Sequence, residues 1–212
     1  MSAGGTPAWT VLPETFYLRS DVSSIAIDLR GKVLVTRMDG VHTSGRITET
    51  EAYAGRGDRA CHAAHGRLTP RNRTMHGAGG RAYVYLCYGI HSLFNVVTHS
   101  EGMPDAVLIR AVEPLEGVEH MLRRRGLDRR SPALCCGPGR LTQALGIGVG
   151  HDGLPVFRRN GSPPVRIEDD GWRVPDGQVR RGPRVGVDYA GDDARRPWRF
   201  VVGGSRWVSR PR

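Results

Sequence analysis

Residues 41–53, VHTSGRITETEAY, read as one long β-strand, and the fold follows from that reading. Successive side chains of an extended chain leave opposite faces, so Glu49, Glu51 and Tyr53 share a face. Two arrangements fit this pattern. One is a salt-bridged surface strand; the other is a strand carrying a catalytic carboxylate beside an aromatic stacking surface. Working outward, GKVLVTRM at 31–38 is a second strand, joined to the first by a turn near Asp39 and Gly40. The run RAYVYLCYGIHSLFNVVTHS at 81–100 alternates as a β-hairpin turning at residues 88–91, and DAVLIRAV at 105–112 is a further strand. Helical spacing of Leu115, Val118, Met121 and Leu122 predicts a helix from near Glu113 to Gly126. A shorter helix follows GPGR at 137–140, with Leu141, Ala144 and Leu145 inward. From Phe157 onward the chain reads as strand and loop. Strands dominate, so the expected fold is α+β: a single mixed domain at 14–212, built on a curved antiparallel β-sheet with a few helices. Residues 1–13 are expected to form a flexible N-terminal tail.

Composition narrows the class. With 39% hydrophobic and 25% charged residues in 212, the chain is long enough for one substantial core. It has no apolar run of the ~18 residues a membrane helix needs and no secretory leader at its start, so a cytoplasmic protein without membrane contact is expected. The four cysteines, Cys61, Cys87, Cys135 and Cys136, form no C-x-x-C pair and suit neither a zinc site nor a disulfide framework. They read as buried, reduced thiols, and neither metal nor cofactor is expected. The net charge is +10, and Lys32 is the one lysine among 31 basic residues. Such a charge on a small domain favours a polyanionic partner, with nucleic acid leading.

Several residues suit that partner. Tyr88 lies at the expected hairpin tip, where a large aromatic has little core to fill. It either folds back on the sheet or enters a duplex and holds open the gap left by an extruded nucleotide. Tyr53, His62 and Tyr85 are flat side chains able to stack on a purine, at roughly 1–3 kcal/mol per base, although Tyr83 and Tyr85 also suit packing within the sheet. Arg67, Arg71 and Arg73 surround a proline turn, a spacing suited to phosphates or to a solvated loop. Hydrolysis of an N-glycosidic bond needs a carboxylate that polarises water, whereas a lyase would use an amine nucleophile. Lys32 lies in an apolar strand pattern, so a water-using enzyme without lyase activity is favoured.

Taken together, ETEAYAG, DRACHAAHG, TPRNRTM, AYVYLCYGIHSLFNVV, VLIRAVEPLEG, CGPGRLTQALGI and RVGVDYAGDDARRPWRFVVGGSRWVS closely resemble the alkyladenine (3-methyladenine) DNA glycosylase family, in order and over nearly the whole chain. The resemblance implies a monomeric, metal-independent enzyme of base excision repair, acting on double-stranded DNA containing damaged purines. It implies Glu51 as the general base, with Arg110 and the Val185 carbonyl holding the attacking water. Tyr53, His62 and Tyr85 then wall the pocket for a flipped base, stacked between Tyr53 and His62 on one side and Tyr85 on the other. Asn95 discourages guanine and Tyr88 intercalates. A non-catalytic damaged-DNA-binding protein using the same pocket is the alternative. If the protein is bacterial, DNA binding would associate it with the nucleoid. Departures at THSEGMPDA and CHAAHG touch no implied catalytic atom.

Overall fold

The computed structural model describes residues 9–159, 161–175 and 177–210. In chain order the strands are β1 (Thr10–Val11), β2 (Val33–Met38), β3 (Val41–Tyr53), β4 (Ala82–Cys87), β5 (His91–Thr98), β6 (Asp105–Glu116), β7 (Val165–Asp169), β8 (Val179–Gly182) and β9 (Arg199–Val202). The helices are α1 (Glu14–Tyr17), α2 (Val22–Leu29), α3 (Val118–Arg125) and α4 (Pro138–Leu145). All strand pairs are antiparallel, in the order β1-β7-β2-β3-β6-β5-β4, with β9 also on β3 and β8 on β9. The sheet curls into a half-barrel, a single mixed α+β domain. Residues 1–8 of the expected tail lie outside the described residues, whereas Thr10 and Val11 pair with Asp169 and Glu168 of β7.

The opening stretch is one strand, as its pattern predicts. It leaves β2 through a two-residue turn in which Asp39 (φ 51°) and Gly40 (φ 77°) both take positive φ, matching the twist of the flanking strands. One edge of β3 pairs with β6 from Ser44 to Tyr53. On the other edge β2 pairs with residues up to Arg46, and β9 takes over at residues 49–51. Two bulges accompany this change of partner. Ile47 and Glu49 face Val112 and Ala111, then Glu49 and Thr50 face Ala111 and Ile109. Thr48 is therefore extra on β3 and Arg110 extra on β6, and the second bulge restores the register that the first displaced. Bulges re-aim side chains. Here they bring Arg110 to the two glutamates.

β6 continues through Glu116, so the helix expected from near Glu113 starts instead at Val118. Pairing of Ser44, Gly45 and Arg46 with Glu116, Pro114 and Glu113 captures that segment for the sheet. Gly117 (φ 69°) then makes the break, and a Cβ there would fall 2.3 Å from the His42 carbonyl oxygen. α2 was not expected at all, yet it buries Val22, Ile25, Ala26 and Leu29 and is capped by Asp21, which accepts the Ser23 N–H at 2.9 Å.

Period-two alternation divides the sheet into two faces. Ala82, Val84, Phe94, Val107 and Ile109 join Leu29 and Leu141 from the helices in the main core. Tyr83, Val97 and Ala106 face the other way, against Cys61, Ala63 and Met75, with Tyr53 and Tyr85 packed alongside. Cys61, Ala63 and Met75 come from the segment at 54–80, which contains the short 3-10 helices Ala64–Gly66 and Pro70–His76. Cys61, Cys135 and Cys136 are buried free thiols and Cys87 is half-buried. Among the described residues no helix is long and apolar enough to cross a membrane.

Candidate active site

Glu49 and Glu51 leave β3 on the same side, and both are fully buried. Their partners separate them. Glu49 Oε1 accepts from Arg110 Nε (2.9 Å), Arg199 Nε (2.7 Å) and the Ser209 hydroxyl (2.8 Å), while Oε2 accepts the Ser209 N–H at 2.6 Å. This carboxylate is saturated, and it holds Arg110. Glu51 is less crowded. Its Oε1 accepts the Val185 N–H at 2.8 Å, its Oε2 accepts the Tyr53 hydroxyl at 2.8 Å, and Arg110 Nη1 approaches Oε2 at 3.3 Å. The Val185 contact is thus made through its N–H.

Burial pushes the Glu51 pKa up, ahead of the opposing pull of Arg110, the Val185 N–H and the Tyr53 hydroxyl. Burial and the adjoining Glu51 charge raise the Tyr53 phenol well above its ordinary value, so it remains a donor. Burial alone would lower the Arg110 pKa, but the Glu51 and Glu49 carboxylates hold it above the ordinary value.

Beside this cluster lies a cavity of about 350 Å³, within the range of small-ligand sites. Tyr53, His62, Tyr85, Asn95, Arg110, Val185, Tyr88 and Arg71, all singled out in the sequence, line it; Arg67 and Arg73 do not. Glu51 is not on the wall either. It sits one layer behind, and each of its three partners is on the wall.

His62 and Tyr85 do not face each other across a base-wide gap. Their centroids are 4.6 Å apart at 70°, edge to face, and His62 Nδ1 bonds the Tyr83 hydroxyl at 2.9 Å. His62 therefore packs directly on Tyr85. Although the residue is partly exposed at the mouth, burial of the ring, and then Arg71, push its pKa down to about 4. Both causes favour the neutral imidazole. Asn95 donates to the Tyr83 carbonyl at 3.1 Å, which orients its amide.

The hairpin tip is unusual. Tyr88 is 93% exposed and takes φ 52°, a conformation that side chains larger than glycine rarely adopt. Leu86 and Ile90 beside it are exposed as well, so an apolar tip projects from a basic protein.

Sequence reasoning missed a second buried pair. Arg184 donates to both Asp58 oxygens, at 2.6 and 2.8 Å, and its guanidinium lies 4.8 Å from the Tyr53 ring centroid. It joins the segment bearing Val185 to the loop bearing His62 and backs the Tyr53 ring. Tyr189, exposed at the mouth, was missed too; its hydroxyl donates to the Ala60 carbonyl at 3.2 Å. Neither pair is separable from ordinary loop composition in the sequence. Among the described residues no cluster of three or more His, Cys, Asp or Glu could hold a metal.

Comparison with known proteins bears on this site. The family model described as Methylpurine-DNA glycosylase matches residues 15–206. A Chlamydia abortus protein named "Putative 3-methyladenine DNA glycosylase" is 45% identical over 193 residues, covering 91% of this chain and 98% of its own. Proteins of the same name from Myxococcus xanthus and Anaeromyxobacter dehalogenans strain 2CP-C are 47% and 49% identical, each over 94% of this chain and over 93% and 87% of their own.

Proposed function

The chain belongs to the methylpurine-DNA glycosylase family, and from that premise we propose that it is a monofunctional DNA glycosylase. It turns alkylated or deaminated purines, 3-methyladenine and related bases, out of duplex DNA and hydrolyses the N-glycosidic bond with water activated by Glu51. One observation carries the reading: a buried carboxylate whose three partners, Tyr53, Arg110 and Val185, all line an aromatic cavity that suits a purine.

Arginine contacts to phosphates bind the duplex, with a steep salt dependence. The Tyr88 tip enters the stack, and the damaged nucleotide rotates into the cavity between Tyr53 and the His62–Tyr85 pair. Asn95 rejects guanine through a clash with its exocyclic amino group. Water reaches Glu51 when the Tyr53–Glu51 hydrogen bond opens, and it finds Oε2, which then keeps only the 3.3 Å approach of Arg110 Nη1. Burial makes this carboxylate a stronger base than an exposed one, and Arg110 opposes part of that rise by favouring the ionised form. The water oxygen bonds to C1′ and its proton passes to Glu51. The N-glycosidic electron pair leaves with the base, and an abasic site remains. Lys32, engaged with Asp169 at 2.6 Å and absent from the cavity wall, supports hydrolysis over Schiff-base chemistry. The enzyme works as a cytoplasmic monomer in this reading.

Incubation with alkylated duplex DNA followed by hot alkali should give strand cleavage at abasic sites. Retained but uncleaved DNA would favour a non-catalytic binder, and breaks without alkali would mean a lyase. Tyr88→Ser should slow release from duplex roughly tenfold, within the range of one lost stacking contact. Release from single strands should change less; equal losses on both substrates would make Tyr88 merely structural.

A further inference from the structure

We propose that Arg71 is a specificity-determining residue that biases the cavity toward neutral damaged purines and against cationic alkylated ones. The inference rests on the glycosylase reading above and names the lesion class that the site prefers.

Its placement is the first argument. Thr69 N–H donates to Asn72 Oδ1 at 2.7 Å, and buried Asn72 donates to the carbonyls of His62 (2.9 Å) and Arg67 (2.8 Å). These bonds tie the 3-10 helix Pro70–His76 to the loop that carries His62. Arg71 is thereby held over Tyr85, with its Cζ 5.0 Å from the ring centroid and Nη2 donating to the Leu86 carbonyl at 3.3 Å. It lines the same cavity as Tyr53, His62 and Asn95. A residue whose sequence spacing suits a phosphate contact thus stands on the wall of the base pocket.

Charge balance is the second. Arg110, the other arginine on the wall, is paired with Glu49 and Glu51, and Glu49 also holds Arg199. Arg71 makes no ion pair with any described residue; its Nη2 donates to the Leu86 carbonyl. Of the two arginines on the wall, Arg71 is therefore the one without a carboxylate partner among the described residues.

The third argument concerns the ring. A cation over an aromatic face draws on the same quadrupole that would attract a cationic base. Tyr85 already serves Arg71, so it offers a 3-methyladenine or 7-methylguanine cation less than a free tyrosine would. A hypoxanthine or ethenoadenine ring meets no such repulsion. In a partly desolvated site a like charge several ångströms away disfavours the cation by about tenfold.

Single-turnover release from duplexes carrying 7-methylguanine or hypoxanthine tests this, with the native chain, Arg71→Gln and Arg71→Lys. Taking the ratio within each protein cancels losses of active fraction and of general DNA affinity. In Arg71→Gln the hypoxanthine-to-7-methylguanine ratio should fall about tenfold, and in Arg71→Lys it should stay near the native value. A ratio unchanged in Arg71→Gln, with both rates falling together, would overturn the proposal and leave Arg71 a phosphate contact. Failure of the native chain to release either base would instead remove the glycosylase reading beneath it.

Discussion

Glu51→Gln should lose base release by about 1,000-fold, within the range of a general base, while binding alkylated duplex as the native chain does. Glutamine keeps the shape of the side chain and one oxygen for the Val185 N–H, and its amide NH2 can donate to the Tyr53 hydroxyl in place of accepting from it, so the cavity wall should stay in place. What it loses is the capacity to take a proton from water. Single-turnover release paired with a binding isotherm separates these properties, and release near the native rate would remove Glu51 from the reaction. The pH profile carries the same claim. Activity needs the ionised carboxylate, so it is present above the Glu51 pKa and lost as pH falls through it. Because burial raises that pKa, the acidic limb should lie above the ordinary glutamate value of about 4.3.

Arg184→Leu should destabilise the fold by about 3–5 kcal/mol, the usual cost of leaving one partner of a buried ion pair uncompensated. For a chain of this size that corresponds to a fall of roughly 10 °C in Tm. Both side chains of the Arg184–Asp58 pair are wholly inaccessible. Without the guanidinium, Asp58 would keep only the N–H groups of Ala54 (3.3 Å) and Ala60 (3.1 Å). Adding Asp58→Asn removes the stranded charge and should recover part of the loss. Thermal unfolding followed by circular dichroism measures both effects, and a loss below about 1 kcal/mol would show that the pair is not paying its desolvation cost through mutual attraction.

The sheet was legible in the chain because alternation and turn chemistry are properties of neighbouring residues. VHTSGRITETEAY, the Asp39-Gly40 turn and the hairpin at 82–98 all carry them. The α2 signal was present too, as Val22, Ile25, Ala26 and Leu29 at helical spacing behind an Asp cap, but Ser and β-branched residues obscured it. At Leu115 the opposite happened: helical spacing with Val118 and Met121 suggested a helix where pairing with β3 keeps a strand.

The site divides along the same line. By itself the sequence determined the strands, the shared side of Glu49 and Glu51, and the aromatics and arginines available for a base pocket. Only the tertiary structure decided which glutamate is saturated, that Glu51 stands behind the wall, that His62 joins Tyr85, and that Arg71 faces the cavity. Those outcomes depend on paired bulges at Thr48 and Arg110 and on partners as distant as Glu49 with Ser209 or Asp58 with Arg184. Local periodicity sets the face on which a side chain leaves its strand; the register and curl of the assembled sheet set what it meets there.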